Sequence, residues 1–129
     1  YKQMNYVFTY GMFFDTDVLH KYRYWLRIDA DSRVAIVRED PFQAMRKQNL
    51  SFAYHFHPYQ GACCTTEMPS TVATFIAEHG IKPPEPEFLQ EVMDDLIYYY
   101  GYIGAGNLEF FTSPSYKAFI SYMLKQGGV

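Results

Sequence analysis

The sequence predicts an α/β layer structure built as a single domain over residues 1–129. Three observations predict it. Residues 22–28 alternate in period two, with Tyr22, Tyr24, Leu26 and Ile28 on one side and Arg23, Trp25 and Arg27 on the other, which is a strand pattern. Asp40-Pro41 and Ser113-Pro114 each place a capping side chain before a proline at a first helical position. Strand-like and helix-like segments then alternate along the chain.

Composition bounds the function. With 129 residues the chain is one modest domain, and 49% hydrophobic against 19% charged residues makes it globular. A net charge of −3 gives no reason to expect nucleic acid as a partner. No apolar run approaches the ~18–20 residues that span a bilayer, and no signal peptide pattern is present. The chain opens on Tyr1, so a longer protein is expected, and any membrane anchor would come from a segment ahead of it. Cys63 and Cys64 are neighbours, an arrangement that suits an ordinary disulfide poorly. The 13 tyrosines serve a core, and they also suit a sugar-facing surface, because the ring stacks and the hydroxyl hydrogen-bonds.

The elements follow in order. Residues 1–21 read as mixed and partly helical, with a break at Asp15-Thr16-Asp17. A strand over 22–28 runs into Asp29-Ala30-Asp31, and 33–37 reads as a second short strand. Asp40 and Pro41 open a helix with Phe42 and Met45 on one face. Residues 50–57 read as another strand. Residues 69–79 form a helix with Val72, Phe75, Ile76 and His79 on one face and Gly80 as the stop. After a proline-broken loop, Pro86 opens a helix carrying Phe88, Leu89, Val92 and Leu96. The stretch from Ile97 to Phe111 predicts strands broken by a tight glycine loop. Ser113 caps the last helix, whose stripe is Tyr116, Phe119, Ile120, Met123 and Leu124, and Gly127 ends it.

The candidate chemistry starts at Asp29 and Asp31. Residues two apart on an extended strand point the same way, so both carboxylates would face one point past the strand end. Carboxylate oxygens suit hard cations such as Mn²⁺ or Mg²⁺, and ligands of open α/β sheets gather where strands end. An acidic turn is the plain alternative. Asp15-Thr16-Asp17 has the same spacing but follows no clear strand and reads as a helix N-cap. His55 and His57 share a face of their strand, as half-buried strand residues or as ligands. A zinc module formed with Cys63 and Cys64 matches no standard ligand spacing.

"YRYWLRIDADSRV" followed by "EDPFQAM" resembles the strand-plus-acid motif of the fungal Golgi α-1,2-mannosyltransferases, glycosyltransferase family 15. There a Tyr-Trp-Arg-Val run leads into Glu-Pro-Asp, and an Asp-Pro-Phe opens a helix. "YKQMNYVFTYGMFF" and "PSTVATFI" resemble family segments, as does "GNLEFFTSPSYKAFISYMLKQGG", and the likeness is collinear over nearly the whole chain.

The resemblance implies a GT-A-like fold with a mixed sheet flanked by helices, here as a partial catalytic domain. It implies a retaining, Mn²⁺-dependent transfer of mannose from GDP-mannose, a nucleotide-sugar donor, to a glycan acceptor. It also implies a type II membrane protein of the Golgi lumen. Asp29 matches the metal-binding glutamate and Asp31 its partner acid. The family's candidate nucleophile falls near Gln60 or Ala62, so Glu67 is the nearest carboxylate for a catalytic role, with His55, His57 and Tyr59 as substrate contacts. The family's metal-binding histidine falls past Val129, and Phe14 stands where the family has tyrosine. The rival expectation is a non-catalytic carbohydrate-binding or inactive remnant of the same fold.

Overall fold

The computed structural model describes residues 12–34, 38–55, 67–95 and 103–126. Two 3₁₀ turns, Met12–Asp15 and Leu19–Lys21, lead into β1 (Tyr24–Ile28). Then come α1 (Pro41–Gln48), β2 (Phe52–Tyr54), α2 (Met68–Glu78), α3 (Pro86–Asp94), β3 (Ile103–Asn107), a short α4 (Leu108–Phe111) and α5 (Pro114–Gln126). The three strands form one sheet in the order β1-β3-β2, with both pairings antiparallel. No helix among the described residues is long and apolar enough to cross a membrane.

This order corrects two expectations. Because sequential strands of α/β units often lie side by side, the acid-bearing strand is expected in the interior beside 50–57. Among the described residues β1 is instead an edge strand, and β3 lies between it and β2. The glycine stretch, expected as a tight loop, supplies that central strand. Gly106 pairs with both Trp25 and Phe52, and a Cβ at Gly106 would run into the Trp25 indole and the Phe111 ring. A strand without side-chain bulk is what lets large rings from both neighbours close over it.

The pairing register sorts the two faces. Trp25, Gly106 and Phe52 share one face, over which Phe14, Leu108 and Phe111 complete a buried cluster. Leu26, Ala105 and Ala53 share the other, where Phe42 of α1 stacks on Tyr24 with ring centroids 5.7 Å apart.

The caps behave as the sequence predicts in most places. The Asp40 side chain accepts from Phe42 N–H at 2.9 Å, and Ser113 Oγ accepts from Tyr116 N–H at 3.2 Å. Gly80, at φ +59°, closes α2 while Ile81 N–H returns to the Ile76 carbonyl at 3.0 Å. Asp15-Thr16-Asp17 departs from the N-cap expectation. Asp15 ends the first 3₁₀ turn and bonds Lys117 of α5 at 2.7 Å, while Val18 precedes the second turn with no side-chain cap. The expected strand at 50–57 is a strand only over Phe52–Tyr54 among the described residues. Arg33 and Val34 belong to no strand, and the rest of the expected 33–37 element lies outside the described residues, as do Leu96 and Gly127.

Candidate active site

Because β3 is antiparallel to both neighbours, β1 and β2 run the same way and end at the same edge of the sheet. Ile28 faces Ile103, and Tyr54 faces Gly104 one step earlier, so Asp29 and His55 leave that edge on either side of the start of β3. Two strand spacings of about 4.8 Å separate their strands. Strand geometry thus brings both residues to the same edge of the sheet, but only His55 lines the cleft on the face opposite Trp25; Asp29 and Asp31 do not.

The chain does not stay extended past Ile28. Ser32 N–H donates to the Asp29 carbonyl at 2.9 Å, so residues 29–32 form a turn. The strand-alternation argument for Asp29 and Asp31 therefore stops at Ile28, and the turn sets the position of Asp31. Asp29 is half-buried and Asp31 exposed. The Asp29 carboxylate meets Arg27, whose Nε donates to Oδ1 at 3.1 Å and whose Nη2 lies 2.9 Å from the same oxygen. Both contacts use Oδ1 and neither uses Oδ2. Arg27 was not singled out in the sequence as a site residue, although a basic residue two positions before Asp29 was the available signal.

A cleft of 340 Å³ opens on the face opposite Trp25. Leu26, Ile28, Ile103 and Ala105 form its floor, while Val34, Arg38, Glu39 and His55 contribute to its wall. Arg38 and Glu39 carry charge to this cleft, and neither was a candidate in the sequence. They lie just ahead of the Asp40 cap, where the start of α1 swings them over the sheet.

Glu67 sits at the N-cap position of α2, exposed, and its side chain makes no capping bond. Its carbonyl accepts from Ser70 Oγ at 2.9 Å and Thr71 Oγ1 at 2.8 Å. The helix start thus holds its backbone while the carboxylate stays at the positive end of the helix dipole. Glu67 is not among the residues that line the cleft. His57, Tyr59, Cys63 and Cys64 lie outside the described residues.

Among the described residues no group of three or more His, Cys, Asp or Glu side chains comes together to hold a metal ion. Two carboxylates on a turn still suit a hard divalent cation in kind. Such ions are often held by one or two carboxylates, with substrate phosphates and water completing the shell. The donor set fits a cation that shares its coordination with a diphosphate. It does not fit a closed cage for a bare ion.

The whole chain, residues 1–129, matches the glycolipid 2-α-mannosyltransferase family. It is 22% identical over 135 residues to O-glycoside α-1,2-mannosyltransferase homolog 2 of Schizosaccharomyces pombe, covering 99% of this chain and 36% of that protein. Core-mannan synthase A of Aspergillus fumigatus, solved in its Mn/GDP form, matches with a TM-score of 0.78 at 17% identity, over 98% of this chain and 38% of that one. The mannosyltransferase Ktr4p of S. cerevisiae, solved with GDP, matches with a TM-score of 0.75 at 18% identity, over 97% of this chain and 35% of that one. The chain spans little more than a third of the length of these relatives. Matched from end to end and sharing the architecture of part of a GT-A-like domain, the chain belongs to the glycolipid 2-α-mannosyltransferase family.

Proposed function

We propose that this chain is part of the catalytic domain of a metal-dependent glycosyltransferase that moves mannose from GDP-mannose to a mannoside acceptor with retention. The observation that carries the reading is the family match over residues 1–129. The turn at the end of β1 supports it, because it sets two carboxylates at the sheet edge where ligands of such sheets gather. The same match favours a transferase over a non-catalytic remnant of the fold. Location in the Golgi lumen belongs to the proposal on family resemblance alone.

Each residue then has a role. Asp29 and Asp31 would hold Mn²⁺ or Mg²⁺, and Arg27 fixes the Asp29 carboxylate. A bound divalent cation supplies positive charge to the diphosphate leaving group. His55 would contact the substrate from the cleft wall, with His57 and Tyr59 as further proposed contacts. Glu67 is the carboxylate proposed for acid, base or nucleophile work, standing at a helix start where a negative charge is stabilised.

The test is mannosyl transfer from GDP-mannose to an α-mannoside with Mn²⁺, measured in the full protein. Asp29→Ala should lower turnover by about a hundredfold or more while the protein stays folded, since it removes a group acting on developing charge. Glu67→Gln should lower turnover with little effect on GDP binding. Normal turnover in Asp29→Ala overturns the metal assignment. Mannoside binding without transfer in the wild-type protein returns the reading to a carbohydrate-binding remnant.

A further inference from the structure

We propose that Arg27 is a positioning residue and built-in counter-charge for Asp29, one that makes cation binding at this turn conditional on the diphosphate. The inference rests on the assignment of Asp29 as a cation ligand.

The pair is local in sequence. Arg27 is the next-to-last residue of β1 and Asp29 is the first residue past the strand, so the two side chains are close along the chain and meet across the strand end. Nε and Nη2 of the guanidinium converge on Oδ1 at 3.1 and 2.9 Å. The two side chains are 35% and 36% exposed, so the contact is only partly screened by water. A guanidinium holding one oxygen through two nitrogens ties down that oxygen. It also leaves Oδ2 as the oxygen that can coordinate, so Asp29 would bind through one oxygen.

Charge decides the rest. Arg27 cancels the charge of Asp29, leaving Asp31 as the uncompensated acid of the turn, and Arg33 follows two residues later. A bare divalent ion therefore meets a site close to neutral. It must also approach a guanidinium already bound to its own ligand. A cation that arrives with a nucleoside diphosphate brings several negative charges. Arg27 then faces an anion, and the repulsion turns to attraction. An ordinary surface ion pair would instead stiffen the strand end and leave cation binding unchanged.

The experiment measures Mn²⁺ affinity of the full protein by water-proton relaxation, with Mn²⁺ alone and with Mn²⁺ plus GDP. Arg27→Gln should bind Mn²⁺ alone about tenfold tighter, the effect of removing one charge some 6 Å from a divalent ion at a hydrated site. The gain on adding GDP should shrink by a similar factor. Arg27→Lys, which keeps the charge, should retain the wild-type dependence on GDP. Arg27→Met keeps the aliphatic stem and drops the charge, and it should repeat the Gln result if Gln weakens β1. Asp29→Asn should remove this Mn²⁺ binding altogether. If Asp29→Asn does so while neither neutral Arg27 variant changes the affinity, the metal assignment stands and the role of Arg27 is overturned. If Asp29→Asn leaves Mn²⁺ binding intact, the assignment of Asp29 fails and the inference with it.

Discussion

Two aromatic clusters stand out among the described residues, and they are built on different principles. The sheet cluster is apolar and limited by volume. Phe14 stacks on Phe111 with centroids 4.7 Å apart, and Trp25 meets Phe111 edge-on at 5.3 Å. The single polar atom buried there without a partner among the described residues is Trp25 Nε1. The helix cluster joins α2 to α5 and is rimmed by polar groups. Phe75 contacts Phe119 at 5.2 Å, Tyr122 at 5.1 Å and the His79 ring at 4.1 Å. His79 Nδ1 is 2.9 Å from the Phe75 carbonyl, and the Tyr122 hydroxyl donates to Glu78. The first cluster contains β1 and so carries Arg27 and Asp29. The second contains α2, whose N-cap position is held by Glu67.

The largest expected effect tests the volume limit. Gly106→Val should cost about 3 kcal/mol or more, because there is no space for a side chain between the Trp25 indole and a Phe111 carbon only 2.5 Å from the added Cβ. Gly104→Ala, two residues away on the same strand and the same face, would meet Phe52 at an ordinary 3.4 Å and should cost less than about 1 kcal/mol. Urea unfolding of both variants checks the contrast. Equal midpoints would mean that the central strand does not need its glycine at position 106.

That contrast also shows what the sequence made legible. Alternation from Tyr24 to Ile28 was readable because large residues of both faces occur on one strand. The helix starts at Asp40 and Ser113 were readable because capping is local. Gly104 to Gly106 was misread, since glycine in a strand is explained only by neighbours distant in sequence, here Trp25, Phe52 and Phe111. The order β1-β3-β2 was missed for the same reason. At the proposed site, the end of the strand just before Asp29 was legible in the sequence. The turn through Ser32 and the two-nitrogen grip of Arg27 were not drawn from the sequence, because they depend on where extension stops. Lys117 bonding Asp15 has no local signal at all.

A smaller effect tests whether the two clusters are independent. Phe75 is 6% exposed, and Phe75→Ala should cost about 3 kcal/mol, toward the low end for a buried ring with a partly polar surround. The folded fraction should keep wild-type Mn²⁺ affinity, because the bonds recorded between Arg27 and Asp29 among the described residues involve neither α2 nor α5. A loss of Mn²⁺ binding beyond the loss of folded protein would show that the clusters are coupled.

The smallest effect concerns the polar rim. Burial, and then the hydrogen bond and charge of Glu78, raise the Tyr122 phenol above its ordinary value of 10.0. The raised value belongs to the folded state, so the neutral phenol is favoured there. Its contribution to stability is complete at neutral pH, where both states hold the proton. As pH rises past 10.0 the unfolded chain releases that proton first, and the contribution is lost as pH climbs through the folded value. Tyr122→Phe should therefore lower stability slightly at neutral pH and make the alkaline decline shallower than in the wild type. Urea midpoints from neutral pH to beyond 10.0 measure both changes. An alkaline limb as steep in Tyr122→Phe as in the wild type would assign the decline to other tyrosines and leave the helix cluster, like the sheet cluster, governed by packing.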